Sequence, residues 1–176
     1  MKLFDLTGKR ALITGSSQGI VLAIAEGLGA AGAEIILNGR DRKKLDGATA
    51  QLKAKGFKVH GLDFDVTSQE SVALAIAKIE ADIGPIDILF NNAGMQFRTP
   101  LEDFPPDKFR ELMRVNVESA FLTGQAVARH MIKRGRGKII NICSVQSELG
   151  RPGIAPYTAT KGAIKMLTKG DRKSVV

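Results

Sequence analysis

The run Lys9-Arg-Ala-Leu-Ile-Thr14-Gly-Ser-Ser-Gln-Gly-Ile20 decides the fold. Its first half is a short apolar stretch with the length and composition of a buried strand, and its second half is broken twice by glycine. A helical pattern over residues 20–31 follows and stops at Gly32. Strand, glycine turn and helix in this order make an anion site. Gly15 permits the tight turn, Gly19 lets the backbone come close to a pyrophosphate, and the helix start offers unpaired N–H groups and the positive end of its dipole.

Outward from this unit the alternation repeats. Strand-like runs at 34–38, 58–66, 86–90 and 138–143 are separated by helical patterns at 42–55, 68–83 and 107–133, and a last helix carries Tyr157. Strands alternating with helices predict an α/β protein with a doubly wound parallel sheet. Asp41 is placed to cap the second helix and Gly56 to end it, while Thr67 or Ser68 caps the third, with Glu70 within capping reach. Pro105-Pro106 opens the fourth, which reads as one long helix.

Bulk properties restrict the function classes. The 176 residues are 44% hydrophobic with a mean hydropathy near zero, which suits about one globular domain. No apolar run reaches spanning length, and Asp5 interrupts the start, so neither a membrane span nor a secretory signal is expected and a cytoplasmic location is. The net charge is +8, but the basic residues are scattered, and the densest group, between Arg129 and Lys138, surrounds a helix end where cations are favoured. No nucleic-acid partner is expected. The single cysteine, Cys143, lies in an apolar strand and reads as a packed thiol. His60 and His130 have no sequence neighbours that suggest acid–base or metal chemistry, and no metal site is expected.

The chemistry gathers near residue 160. Tyr157 and Lys161 are one helical turn apart, so both side chains emerge from one face. An ammonium held there favours phenolate over phenol, which suits a tyrosine for proton exchange near neutral pH. Ser144 ends the strand-like run Lys138-Ile-Ile-Asn-Ile-Cys-Ser, where a hydroxyl could hold a substrate oxygen beside the phenol. At the end of the second strand, Asn38 stands where an acid would read a ribose hydroxyl, and Arg40 follows, so NADP is favoured and NAD is possible.

With these residues in view, the chain resembles the short-chain dehydrogenase/reductase family. Five features match in order: Thr14-Gly-Ser-Ser-Gln-Gly-Ile, Asp65-Val66, Asn91-Asn-Ala-Gly94, Asn116, and Ser144 with Tyr157-Thr-Ala-Thr-Lys161. The resemblance covers residues 5–169 and implies a Rossmann sheet of order 3-2-1-4-5. It implies catalytic roles for Asn116, Ser144, Tyr157 and Lys161. The implied cofactor contacts are Gly15, Ser17, Gln18, Gly19, Ile20, Arg40, Asp65, Val66, Asn91, Ala93 and Gly94, with Tyr157 and Lys161 again. Asn116 is expected to bend its helix. Val21 stands where the family pattern has glycine. The expectation is that its isopropyl group crowds the loop, so that Val21→Gly tightens NADPH binding by about 1–3 kcal/mol.

The segments Gly84-Pro-Ile-Asp-Ile-Leu-Phe-Asn-Asn-Ala-Gly-Met-Gln96 and Asn141-Ile-Cys-Ser-Val-Gln-Ser-Glu-Leu-Gly-Arg151 are similar to the gluconate 5-dehydrogenase subgroup, which implies a sugar-acid substrate. Gln96, Arg98, Gln146 and Arg151 are then candidate substrate contacts, an arginine being suited to fork a carboxylate. Alternatives are a reductase of another carbonyl, such as a 3-oxoacyl thioester, or a non-catalytic nucleotide-binding fragment. The subgroup continues past Gly170 with further strands, and its full-length form is expected to be a homo-oligomer. Residues 1–170 therefore read as an incomplete NAD(P)-binding domain with little turnover. Asp171-Arg-Lys-Ser-Val-Val176 reads as a non-native tail, one reverse translation of which coincides with the start of a sequencing adapter.

Overall fold

The computed structural model describes residues 4–16 and 19–171. Five parallel strands form one sheet in the order β3-β2-β1-β4-β5, with β1 at Arg10–Ile13, β2 at Glu34–Asn38, β3 at Val59–Leu62, β4 at Ile88–Asn91 and β5 at Lys138–Asn141. The central strands are buried on both faces: Ala11, Leu12, Ile13, Ile35, Ile36 and Leu37 are all 0% exposed. Continuous apolar runs of this kind are what a sheet covered by helices on both sides requires.

The two faces carry separate cores. On one, α1 (Ile20–Ala30) and α2 (Arg42–Ala54) pack Ala25, Leu45 and Leu52 against Ile13, Ile35 and Leu37. On the other, α3 (Gln69–Lys78) and α5 (Ser119–Arg134) pack Val72, Ile76, Val127 and Met131 against Leu12, Ile36 and Leu89. The caps follow the sequence chemistry. Asp41 accepts from the Lys44 N–H at 3.0 Å, and Ser68 accepts from that of Ser71 at 3.3 Å.

Two helices differ from their sequence expectation. The pattern at 68–83 ends as a π-turn, Ile79–Ile83, and the single long helix expected after Pro106 is α4 (Pro106–Met113), a π-turn at Arg114–Glu118, and α5. A widened turn keeps the apolar face running through, so hydrophobic spacing cannot reveal it. The last helix, α6, spans Ala155–Asp171. Of the tail at 171–176, Asp171 belongs to this helix and the other five residues lie outside the described ones.

Two histidine and arginine readings also change. His60 does have a partner, with its Nε2 2.9 Å from Glu34 Oε1 across β2 and β3. Arg134, from the densest basic group at the helix end, is tied to Glu80 at 2.7 Å and donates to the Ile86 carbonyl at 2.8 Å. Both partners are distant in sequence and adjacent only through the fold. At the other edge, β5 leaves Ile140 40% exposed on one face, while its Ile139 lines an apolar cavity of about 470 Å³ with Phe121, Ile132 and Leu167.

Candidate active site

All five strands end on one side, and the expected chemistry collects there, outside their carboxyl ends. Thr14 builds the junction. Its hydroxyl donates to the Phe90 carbonyl and accepts from the N–H groups of Asn92 and Ala93, each at 3.1 Å, fastening the glycine turn to the exit of β4. Gly15 has φ 62°, and a Cβ there would fall 2.8 Å from the Ala93 Cα. Only glycine fits, for reasons of both conformation and space.

A cleft of about 330 Å³ opens above this junction, lined by Gly15, Arg40, Val66, Thr67, Ala93 and Gly94 among others. Its glycine floor, its apolar walls at Val66 and Ala93, and Arg40 at its rim suit the nucleoside end of a dinucleotide with a phosphorylated ribose. Lys44 also lines it. That residue is one turn into α2, a placement that no local motif advertises. Of the phosphate-loop candidates, Gly19 caps α1 with φ 72° and Ile20 is 81% exposed at the helix start. Ser17 and Gln18 lie outside the described residues.

Asn38 lines the same cleft, but its side-chain amide is taken up within the fold. It is 2% exposed, donates to the carbonyls of Leu62 and Phe64, and accepts from the Gly15 N–H at 3.4 Å. It joins β1 to β3 across β2, so the strand-end reading passes to Arg40. Arg42, by contrast, is engaged with Asp46 and Asp63. Asp65 is occupied too, accepting from the N–H and hydroxyl of Thr67 at 2.9 and 2.8 Å. Burial alone would raise its carboxyl, but these bonds and the positive charges of Arg40 and Arg114 outweigh that and hold it below the usual range. The Asn91 amide bonds the Ala120 carbonyl, Asn141 and Thr123. It braces β4, β5 and α5, and its side chain is spent on that.

Val21 is 5% exposed and packs with Ala11, Ile13, Ala25 and Ala33 between α1 and the sheet. It fills core space instead of entering the cleft, so the crowding expectation gives way to a packing role. Val21→Gly is expected to lower the unfolding free energy by about 2–4 kcal/mol, from lost burial and the helical cost of glycine. A urea titration measures this, and a loss under about 0.5 kcal/mol would contradict it.

The four catalytic candidates come from three elements. Asn116 lies in the π-turn between α4 and α5, 3% exposed. Its amide accepts from the Met95 N–H at 2.7 Å and donates to the Met95 carbonyl and the Thr160 hydroxyl, both at 3.0 Å. Thr160 in turn donates to the Tyr157 carbonyl at 2.7 Å. One buried amide thus joins the β4 exit to α6. A π-turn at such a point is common in functional sites, because it redirects one residue without ending the helix.

Tyr157 is half-buried in the first turn of α6, and the Lys161 Nζ lies 5.9 Å from its ring centroid. Lys161 is 7% exposed and donates to the Ile142 carbonyl at 2.7 Å. Burial pushes its ammonium below the usual lysine range, opposed in part by the nearby Cys143 sulfur. Ser144 caps a short 3-10 turn, Val145–Ser147, with its hydroxyl oxygen accepting from the Gln146 N–H at 3.2 Å. Since that bond uses a lone pair, the Ser144 O–H is left to donate outward.

The candidate substrate residues lie on two loops joined by one bond, from the Thr99 N–H to the Gly153 carbonyl at 3.2 Å. Gln96 and Arg98 are exposed on the first, bonded to each other at 3.2 Å, and Arg151 is exposed on the second. Gln146 is half-buried, with its Oε1 buried and unpartnered. Among the described residues, no helix is long and apolar enough to cross a membrane, and no cluster of three or more His, Cys, Asp or Glu could hold a metal.

An open parallel sheet with a glycine turn at its switch point, and a Tyr–Lys helix tied to the exit of its fourth strand, defines a nucleotide-binding α/β protein of the Rossmann kind. The chain belongs to the short chain dehydrogenase family, which it matches over residues 9–175. It is 61% identical over 168 residues to a gluconate 5-dehydrogenase of Gluconobacter oxydans, covering 96% of this chain and 66% of the relative. A 5-keto-D-gluconate 5-reductase of Escherichia coli is 49% identical with the same coverage. A crystal structure of a gluconate 5-dehydrogenase from Burkholderia cenocepacia, in complex with NADP and tartrate, superposes with a TM-score of 0.92 at 56% identity, over 96% of this chain and 66% of that one. The chain thus spans about two thirds of the length of these relatives.

Proposed function

We propose that the protein is an NADP-dependent oxidoreductase interconverting D-gluconate and 5-keto-D-gluconate at C5. The observation that carries this reading is the meeting of the Ser144 turn with the Tyr157–Lys161 helix, beside a cleft edged by Arg40. The identity to gluconate 5-dehydrogenases supports the substrate, as does the hydroxy acid tartrate in the Burkholderia complex.

When bound, NADP(H) supplies the hydride donor or acceptor. Arg40 and the glycine turn would hold its phosphates, with Val66, Ala93 and Gly94 against its nucleoside. In oxidation, Tyr157 takes the C5 hydroxyl proton as the C–H bond gives up its hydride, and in reduction it returns that proton. The Ser144 O–H donates to the same oxygen and steadies its developing charge. Lys161 keeps a positive charge beside the phenol, and Asn116 holds α6 in place through Thr160. Arg98 and Arg151 receive the sugar carboxylate, with Gln96 and Gln146 at its hydroxyls. A homo-oligomer in the full-length form fits the reading, since Phe121 on α5 and Met166 on α6 are 46% and 62% exposed, and a cytoplasmic location is proposed with it.

The test is NADPH oxidation with 5-keto-D-gluconate against a 3-oxoacyl thioester. It is run on the 176-residue chain and on the chain extended by the last third of the Gluconobacter relative. In the extended chain, preference for the thioester, or NADPH binding without turnover of either, would reject the reading, while the 176-residue chain is expected to turn over little of either. In the same proteins, Arg40→Ser is expected to weaken NADPH binding by about 10- to 100-fold, the value of one charge-assisted contact to a phosphate. NADH binding should stay within about threefold, because it lacks that phosphate. Equal losses for both cofactors would remove Arg40 from the ribose.

A further inference from the structure

Lys161 is held at both of its ends by one short stretch of chain. Its ammonium donates to the Ile142 carbonyl at 2.7 Å, and its own backbone carbonyl accepts from the Ser147 hydroxyl at 2.9 Å. Ser144 lies between these two points. Ser147 also accepts the Ser144 N–H at 3.2 Å, so one hydroxyl receives from the residue carrying the reactive O–H and donates to the residue carrying the ammonium. From these contacts we infer that Ser147 is a positioning residue: it clips the Ser144 turn to the backbone of Lys161 and so fixes the serine hydroxyl relative to the Tyr157–Lys161 face. The kinetic part of this inference rests on the oxidoreductase reading, and the structural part does not.

The physical case is that a three-residue 3-10 turn has poor hydrogen-bond geometry and little stability of its own. The exposed flanks at Val145 and Leu149, 68% and 62% accessible, give it little burial. The Lys161 ammonium reaches the Ile142 carbonyl through a long side chain, so that bond fixes the turn less closely than one made by its backbone. The Ser147 bond runs backbone to side chain, and it holds the turn whichever acceptor the ammonium takes. An alanine at 147 would leave the Ser144 N–H and one lone pair of the Lys161 carbonyl without these partners, and the turn free to lift.

The chain contains a reporter for this motion, because Cys143 is its only cysteine and adjoins Ser144. Ser147→Ala is expected to raise the rate of Cys143 labelling by a disulfide reagent by about tenfold or more, with Ser147→Thr near wild type because it keeps the hydroxyl. Both are measured on the 176-residue chain and need no substrate. Unchanged labelling in Ser147→Ala would overturn the inference. Should that variant fail to fold, exchange of the Ser144 amide in the wild-type chain decides instead: slowing by about 100-fold relative to an unprotected amide is expected, and free exchange overturns the clip. In the extended chain, Ser147→Ala is expected to lower kcat by about tenfold with NADPH affinity unchanged. The double variant with Ser144→Ala should be no slower than Ser144→Ala alone, to within about twofold. Independent, additive losses would reject a role acting through Ser144.

Discussion

Tyr157→Phe, in the chain extended by the last third of its Gluconobacter relative, is expected to lower kcat for gluconate oxidation by about 10²- to 10⁴-fold, the range for loss of a positioned acid–base group. Phenylalanine keeps the ring that the half-buried site accommodates, and the residue's other tie runs through its backbone carbonyl to Thr160, which the change leaves intact. Thermal stability and NADPH affinity should therefore stay near wild type while turnover collapses. That separation identifies lost chemistry as opposed to lost structure. Unslowed oxidation would show that the proton leaves by another route and would remove Tyr157 from the mechanism.

The parts of this site legible in the sequence are those where one local pattern serves one purpose. The glycine turn announces itself because Gly15 needs both a positive φ and a missing Cβ, and glycine alone supplies them. The Tyr157–Lys161 pair is visible through its one-turn spacing. The bracing residues are not visible in this way. Thr14 acts on residues 78 and 79 positions away, Asn116 on one 44 away, and Asn38 on two strands at once. Their partners become neighbours only after the sheet forms, and no spacing rule encodes that. Asn38 was legible only as the missing acid at a strand end, and its bonds to the Leu62 and Phe64 carbonyls were not. Ser147 was hidden differently. It looks like an ordinary loop serine, and its value lies in which two residues it touches.

The two π-turns make the same point for the backbone. Residues 107–133 carry the apolar spacing of one uninterrupted helix, and the packing of Leu112, Leu122, Val127 and Met131 bears that spacing out. The widened turn at Arg114–Glu118 changes where Asn116 points while leaving the buried face continuous. Hydrophobic pattern therefore gave one continuous buried face, while the irregular course at Asn116 was anticipated only through the family resemblance and not from the spacing.

Lys161→Met separates two effects that the wild-type residue combines. The ammonium lies about 6 Å from the phenol ring, and opposite unit charges at that distance interact by roughly 3 kcal/mol at an effective dielectric constant of ~20. Its removal should thus lower kcat by about 100-fold or more through the phenolate alone. Stability should respond in the opposite sense at alkaline pH. Because burial depresses the lysine in the folded chain, the unfolded chain binds the extra proton more readily between the folded value and the ordinary lysine value. Wild-type stability then carries a penalty below the folded value, which is relieved as pH rises through that window. Methionine fills similar volume with no charge to desolvate, so the relief should vanish, leaving a flatter stability profile from pH 7 to about 10. The Ile142 carbonyl loses a donor in this variant, a cost of about 1–3 kcal/mol that does not vary with pH. Urea titrations across that range read the slope and so distinguish the two costs. A variant whose stability still climbs with pH as the wild type's does would mean that the buried ammonium is not the group responsible.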